Sequence, residues 1–210
     1  SARHPYMPYR MPAEAYAWLN SALPQGEIEQ AIFLWRGGFQ PYGNSSQTMQ
    51  LAAELQNLEL DYQANWPAAF IERTALRLSD TEIDIWAPRS RVAELPLTDT
   101  AVGIRIHPDA VAFAMKSENN SSPAEFLRGL QKLPALDVAG SLMNDLTLTG
   151  ESGVNAGVFL GFDLRDVGNT LDIDFSADFD DIAVISQLLD IQVDNVSGPL
   201  SYRHGTGFKS

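Results

Sequence analysis

The chain has 210 residues, of which 45% are hydrophobic and 20% charged, a composition that is typical of folded domains and excludes wholesale disorder. Its 27 acidic and 14 basic side chains give a net charge of −13, which argues against nucleic acid as a partner. Because there is no cysteine, disulfides, thiolate nucleophiles and cysteine-ligated metals are excluded.

The sequence begins with Ser1 rather than with Met, and we interpret it as a segment of a longer protein. It contains no run of about 18 apolar residues, which is the length that a membrane-spanning helix requires. We therefore predict no membrane-spanning helix within these residues.

The first predicted element is a helix over residues 12–23. Apolar residues recur there at i, i+3, i+4 and i+7 from Ala15 to Ala22, and a proline stands on either side. The helix is part of a helix–strand start that we place at residues 12–37.

Alternating apolar residues predict a series of strands over residues 47–116. The alternation that begins at Met49 and Leu51 slips in phase after Leu55 and resumes at Leu58, as a β-bulge would cause. Further short strands are predicted, with turn residues between several of them, at Leu76–Leu78, Ile83–Ile85, Leu95–Leu97, Ile104–Ile106 and Val111–Met115.

A second helix is predicted over residues 122–133. Ser122 and Glu125 have the spacing of a capping box, and Pro123 occupies the first helical position. An apolar stripe follows and ends before Pro134.

A long antiparallel hairpin dominates the last predicted region, residues 138–207. Every second residue is apolar from Val154 to Leu164 and again from Leu171 to Phe179, with a turn signal at residues 166–169. Phe159 is the one apolar residue on the polar side. Apolar spacing also predicts a third, short helix near residues 181–189.

The sequence lacks the motifs of an enzyme. The three histidines, His4, His107 and His204, do not have the spacing of metal ligands. The sequence also has no nucleophile-elbow motif whose serine a histidine could activate. Gly37-Gly38 lacks the Lys-Ser/Thr that a phosphate-binding loop requires. We therefore predict no enzymatic activity, no cofactor and no metal requirement.

A row of acidic residues in the hairpin has two interpretations. In a calcium site several of these carboxylates would point toward one ion, whereas on a solvated sheet face each would point into water. Strand neighbours on one face lie about 7 Å apart, too far to close a compact shell. The solvated face is therefore the favoured interpretation of Asp172, Asp174, Asp178, Asp180 and Asp181.

The predicted fold class is mainly β, and two architectures fit it. Two sheets could pack face to face as a sandwich, or one curled sheet could enclose an apolar groove. Composition alone does not choose between them.

Several pieces of the sequence, in a fixed order, resemble a known family. Residues 16–28 read Tyr-Ala-Trp-Leu-Asn-Ser-Ala-Leu-Pro-Gln-Gly-Glu-Ile and lead into Phe33-Leu34-Trp35-Arg36-Gly37. The later pieces are residues 58–62 followed by Trp66-Pro67, then residues 78–85, Ser122-Pro123 and residues 196–202. Over residues 12–207 this order resembles the YhdP-type branch of the AsmA-like superfamily.

The resemblance implies a long antiparallel curled sheet that forms an apolar groove, with two or three short helices. It implies one periplasmic segment, residues 1–210, of a larger repeating β-groove protein that is anchored in the inner membrane of Gram-negative bacteria by a helix outside this sequence. The implied function is transport of phospholipid from the inner to the outer membrane. The implied partners are phospholipid, adjoining segments of the parent chain, and envelope proteins at the two membranes.

Shared parity within the predicted strands selects the side chains expected to line the groove. They are Val158, Leu160, Phe162, Leu164, Leu171, Ile173, Phe175, Met49 and Leu51. Two alternatives stay open: a β-sandwich module that binds carbohydrate or protein, and an envelope-biogenesis scaffold that carries no lipid. Exposed aromatic residues such as Phe159, clustered on one face, would favour the binding module.

Overall fold

The computed structural model describes residue 17 and residues 21–37, 48–61, 64–133 and 144–209. Strands make up 68% of this part of the chain, so the predicted fold class is confirmed. Most of the helix predicted at residues 12–23 lies outside the described residues, although Ala17, Ser21 and Ala22 are helical. None of the described helices is long and apolar enough to span a bilayer.

The described elements follow one another as strands with few interruptions. In chain order they are β1 (Gln25–Arg36), β2 (Thr48–Leu60), β3 (Ala69–Ser79), β4 (Glu82–Val92), β5 (Leu95–Ile106), β6 (Val111–Ser121), α1 (Pro123–Gln131), β7 (Leu146–Thr149), β8 (Val154–Asp163), α2 (Val167–Thr170), β9 (Asp172–Ser186), β10 (Ile191–Arg203) and β11 (Gly207–Lys209).

These strands form one antiparallel sheet. Its order is β1-β2-β3-β4-β5-β6-β8-β9-β10-β11, with β7 attached to the far half of β9. The sheet is not closed into a barrel, so β1 is an edge strand. Because the described strands share one sheet, the sandwich architecture is not the one adopted.

The phase slip predicted in β2 is a real irregularity of the backbone. Inward-facing residues alternate up to Leu55 and then resume at Leu58, and Asn57 between them has a φ of 51°. Asp99 in β5, Asp181 in β9 and Asn195 in β10 also have positive φ. Asn and Asp tolerate this conformation better than other non-glycine residues. These sites therefore turn side chains to the other face without ending a strand.

The sheet is curled. Val92 on β4 and Tyr202 on β10 border the same cavity, whose volume is only about 60 Å³. On a flat sheet the five strand spacings from β4 to β10 would separate them by about 24 Å. Curling brings the two halves of one face together, as expected for the groove architecture.

Helix α1 begins as predicted. The Ser122 hydroxyl accepts from the Glu125 backbone N–H, and the Glu125 carboxylate accepts from the Ser122 backbone N–H, which completes the capping box. The helix predicted near residues 181–189 was wrong, because residues up to Ser186 belong to β9 and a turn follows at residues 187–190. The turn predicted at residues 166–169 contains the single helical turn α2.

Candidate functional site

The candidate site is the inner face of the sheet, which we define by two rows of apolar residues that cross it from strand to strand. In the first row the direct partners from β1 to β8 are Phe33, Leu51, Leu78, Ile83, Ile104, Phe113 and Phe162. In the second row the partners from β1 to β9 are Ala31, Ala53, Leu76, Ile85, Val102, Met115, Leu160 and Ile173. No polar residue interrupts either row, so the two rows form a continuous apolar band across the inner face.

Four of the predicted groove residues lie opposite one another in the β8–β9 hairpin. Strands β8 and β9 pair antiparallel, which confirms the predicted hairpin, and its register places Val158 opposite Phe175 and Leu160 opposite Ile173. Leu160, Ile173 and Phe175 are buried, and Val158 is half-buried. In this structure these four side chains border the cavity that shows the curl of the sheet.

Three further predicted residues continue the same hairpin. Phe162 is buried and stacks on Phe113 of β6, with ring centroids 4.6 Å apart and an angle of 16° between the planes. Leu164 and Leu171 are half-buried against the core, at the two ends of the connection that contains α2.

The last two predicted residues lie on β2, far from the hairpin. Met49 is buried opposite Trp35, and Leu51 is half-buried opposite Phe33. Strands β3 to β6 separate β2 from β8 in the sheet. The predicted residues therefore form two groups on one apolar surface, and their contact with lipid remains a prediction.

Sequence reasoning missed the exposed ends of the inner face. Ile28, Phe33 and Trp35 on β1 have inner-face partners on β2 but are exposed, as are Ile191 and Val193 on β10. On β1 the alternation is hidden, because residues 31–35 are all apolar and both faces of the strand carry large side chains. The only sequence signal for the inner face of β1 was the two-residue spacing of Phe33 and Trp35, which places both side chains on one face of the strand.

Helix α1 covers the middle of the inner face. The Phe126 ring lies 6.1 Å, centroid to centroid, from Phe175 and also from Phe179. Leu127 and Leu130 are buried on the same side of the helix. A short helix, rather than a second sheet, therefore covers the residues predicted to line the groove.

A ladder of hydroxyl groups crosses the buried side of β4, β5 and β6. The Thr100 hydroxyl hydrogen-bonds to those of Ser90 and Ser117, at 2.7 and 2.8 Å between oxygens. Ser117 also contacts the Thr98 carbonyl oxygen at 3.2 Å. Within the described residues every buried side-chain nitrogen or oxygen has a partner, so this ladder offers no free group to a ligand.

The opposite, outer face carries the acidic row of β9. Asp174 accepts from Arg203 on β10, at 3.0 Å from the guanidinium Nε, and this hydrogen bond raises the pKa of Arg203. Asp178 and Asp180 are exposed. Among the residues described, no group of three or more acidic or histidine side chains could hold a metal ion.

The histidines do not form a site. His107 and His204 are exposed in turns, where their backbone N–H groups donate to the carbonyl oxygens of Ala110 and Ile173. His4 lies outside the described residues.

Glu94, in the turn between β4 and β5, joins the sheet to α1. It accepts hydrogen bonds from Lys132 and from Arg128 Nε, the latter at 3.0 Å. These hydrogen bonds, that of Lys132 foremost, lower the pKa of the Glu94 carboxyl group.

Comparison with known proteins adds one finding. The family model that matches this chain is YhdP, described as YhdP protein, and the match covers residues 1–209. No curated protein and no solved structure matches the chain. The matched residues include β1 to β11 and the whole inner face. This chain therefore belongs to the YhdP family.

Proposed function

We propose that this chain is a segment of an envelope protein that shields phospholipid acyl chains on its inner face during transport from the inner to the outer membrane. The observation that carries the proposal is the pair of apolar rows, which cross seven and eight strands without a polar break. Family membership supports it, since it agrees with the resemblance from which the function was first inferred.

Acyl chains need such a surface because water is a poor solvent for them. Exposing one methylene group costs about 0.8 kcal/mol, so a chain cannot cross an aqueous space uncovered. An unbroken apolar row lets successive methylene groups exchange one apolar contact for another. The acidic outer face keeps the sheet hydrated on its other side.

The exposed ends of the inner face suggest how the path continues. Phe33 and Trp35 on β1, and Val193 on β10, are large hydrophobic side chains that are exposed in the described structure. An unpaired strand edge is a template for another strand. We propose that adjoining segments of the parent chain extend the sheet there, and that envelope proteins at the two membranes act as further partners of this periplasmic segment.

The proposed role requires no bond to be made or broken. Among the described residues, no group of three or more acidic or histidine side chains could hold a metal ion. What the chain supplies is a surface of the right polarity, so we propose a non-enzymatic function.

Consecutive residues of β1 provide a matched test. Phe33 and Leu34 are 56% and 60% exposed but point to opposite faces. A benzophenone-bearing phenylalanine analogue is placed at position 33 or 34, and the purified chain is incubated with vesicles of phosphatidylethanolamine and phosphatidylglycerol. Illumination is followed by mass spectrometry of the crosslinked lipid.

The proposal predicts strong lipid crosslinking from position 33 and much weaker crosslinking from position 34. Equal crosslinking from both positions would indicate non-specific adhesion of an apolar edge strand. Absence of crosslinking from position 33 would contradict the proposed function.

A hollow on the outer face favours a second candidate, a binding module without lipid cargo. Trp86 is exposed there, and Phe159 borders the same hollow of about 610 Å³. Phe159 leans over Gly161, where a Cβ atom would lie 3.1 Å from its ring. The crosslinking experiment separates the two functions, because a module that binds through this hollow requires no lipid on the inner face.

A further inference from the structure

A small cavity lies between α1 and the inner face. Its volume is about 60 Å³, and its walls include Phe126 and Leu130 from the helix and Leu160 and Phe175 from the sheet. Asn119 is a polar residue of the wall, and its Nδ2 already donates to the Pro96 carbonyl oxygen at 2.7 Å. An apolar cavity without free hydrogen-bonding groups has no affinity for water.

The size of this cavity decides what it can hold while α1 is in place. An engineered apolar cavity of about 150 Å³ accommodates a benzene molecule. At less than half of that volume, the present cavity has room for the end of a hydrocarbon chain but not for its length. A longer chain could lie here only if α1 moved away.

The attachment of α1 is suited to such movement. The polar link to the sheet is formed by Glu94 with Arg128 and Lys132, whose side chains are all exposed. Exposed ion pairs of this kind contribute little to stability. The helix has nine residues, too few to be stable without tertiary contacts. The contacts of Phe126 with Phe175 and Phe179 are apolar, and a hydrocarbon chain could replace them.

We propose that the part of the inner face beneath α1 is a binding site for one phospholipid acyl chain, and that the chain displaces α1 to enter it. This inference rests on the proposed function and deepens it. It explains why Leu160, Ile173 and Phe175, which share an apolar face with the exposed end at Phe33, are covered by a separate short helix. The helix protects this part of the surface from water when no lipid is bound.

A reversible tether tests the proposal. A Cβ atom at Gly129 would lie 2.1 Å from Leu95 Cγ, so side chains at these two positions are within reach of each other for a disulfide. The double variant Leu95→Cys/Gly129→Cys can lock α1 onto β5 when oxidised and release it when reduced. The natural chain has no cysteine, so no other pairing competes, and the reductant alone serves as a control on the natural protein.

The probe is a phosphatidylcholine with a photoactivatable diazirine on its acyl chain, supplied in phosphatidylethanolamine and phosphatidylglycerol vesicles. Labelled residues are identified by mass spectrometry. In the reduced variant we expect labelling at Leu160 and Phe175, and at least about a tenfold loss of it on oxidation, because the open state is no longer populated. Labelling at Phe33 should be the same in both forms.

Each other outcome has a distinct meaning. Equal labelling of Leu160 and Phe175 in both forms would overturn the displacement of α1. If the reduced variant is labelled at Phe33 but not at Leu160 or Phe175, the binding site beneath α1 is contradicted while the proposed function stands. No labelling anywhere would overturn both. A diazirine-bearing fatty acid serves as a second probe, and labelling by it but not by the phospholipid would overturn the assignment to phospholipid.

A second pair of variants keeps the test decisive if the double cysteine variant does not fold. Glu94→Lys breaks the link to α1, whereas Asp84→Lys makes the same charge change at an ion pair with Arg105 on the outer face. We expect labelling of Leu160 and Phe175 to become faster in Glu94→Lys and to stay unchanged in Asp84→Lys. An equal rate in both variants would contradict the proposal.

Discussion

Leu160 and Ile173 are direct partners on β8 and β9, and both border the cavity beneath α1. Leu160 is only 3% exposed, so this inner-face residue is almost completely shielded from solvent. Phe33 shares the inner face but is 56% exposed on the edge strand β1. Position in the sheet, rather than residue type, therefore decides how much each contributes to stability.

Truncation of Leu160 should lower the free energy of unfolding much more than truncation of Phe33. We expect Leu160→Ala to lower the free energy of unfolding by about 3 kcal/mol, since it removes buried methyl groups and leaves a cavity. Phe33→Ala should change it by no more than about 0.5 kcal/mol. Urea unfolding followed by intrinsic fluorescence measures both. Similar losses for the two variants would show that the edge strand is covered in solution.

Removing the central hydroxyl group of the ladder, that of Thr100, should destabilise the fold. Thr100→Val keeps the side-chain shape but removes the hydroxyl that bonds to both Ser90 and Ser117. Ser117 keeps its bond to the Thr98 carbonyl oxygen, but the buried Ser90 hydroxyl loses its partner, which should cost about 1–3 kcal/mol of unfolding free energy. Thr98→Val, at an exposed position of the same strand, is the matched control and should be close to neutral. Indistinguishable denaturation midpoints would mean that water replaces the lost bonds.

The link between Glu94 and α1 should respond to pH. The hydrogen bonds from Lys132 and Arg128 lower the pKa of Glu94 below its ordinary value of 4.5 in the folded state. The stabilisation is therefore fully present above pH 4.5 and is lost as the pH falls through the lowered pKa. We expect Glu94→Gln to be less stable than the natural chain at neutral pH and equal to it in strong acid.

Salt provides the control for this prediction. The side chains of Glu94, Arg128 and Lys132 are exposed. The difference in stability between the natural chain and Glu94→Gln should therefore be small and should shrink as ionic strength rises. Thermal unfolding across the pH range, at low and high salt, measures it. A difference that persists unchanged in strong acid would attribute the effect to packing rather than to charge.

The edge strand β1 should make the chain self-associate. Residues 30–35 carry no charge, and β1 lacks the lysine or proline residues that protect natural edges. We expect Ile32→Lys to weaken association by at least about tenfold, because a buried charge is unfavourable in an edge-to-edge contact. Sedimentation velocity over a range of concentrations measures this.

Trp86→Lys is the control for the edge prediction. Trp86 is also exposed but lies on β4, in the interior of the sheet, where no backbone edge is free. The Trp86→Lys substitution should therefore leave edge-to-edge association unchanged. If Trp86→Lys weakened association and Ile32→Lys did not, the outer hollow rather than the edge would be the contact.

Local patterns were sufficient to predict much of the fold. Period-two alternation identified β8 and β9 and the common face of Leu160 and Ile173, because side chains on a strand can only point to one of two faces. The capping box at Ser122 predicted the start of α1, because both partners lie within four residues. The predicted irregularity of β2 was visible as a break in the same alternation.

The predicted third helix shows where such patterns mislead. Ile182 and Ile185 have helical spacing, but they lie in one strand that carries apolar residues on both faces. Ile182 is buried, Ile185 is half-buried, and β9 is flanked at this level by β7 and β10. Spacing over a few residues cannot separate a helix from a strand that is apolar on both sides.

The amino-acid sequence by itself determined most of the strands, the face to which the apolar side chains of the alternating strands point, and the capped start of α1, because these depend on neighbours a few residues apart. Only the tertiary structure decided that the strands form one curled sheet, that α1 covers Leu160 and Phe175, and that Phe33 and Trp35 are left exposed. The physical reason is that burial depends on contacts between residues distant in the chain. An alternating pattern assigns a side chain to a face and carries no information about what covers that face.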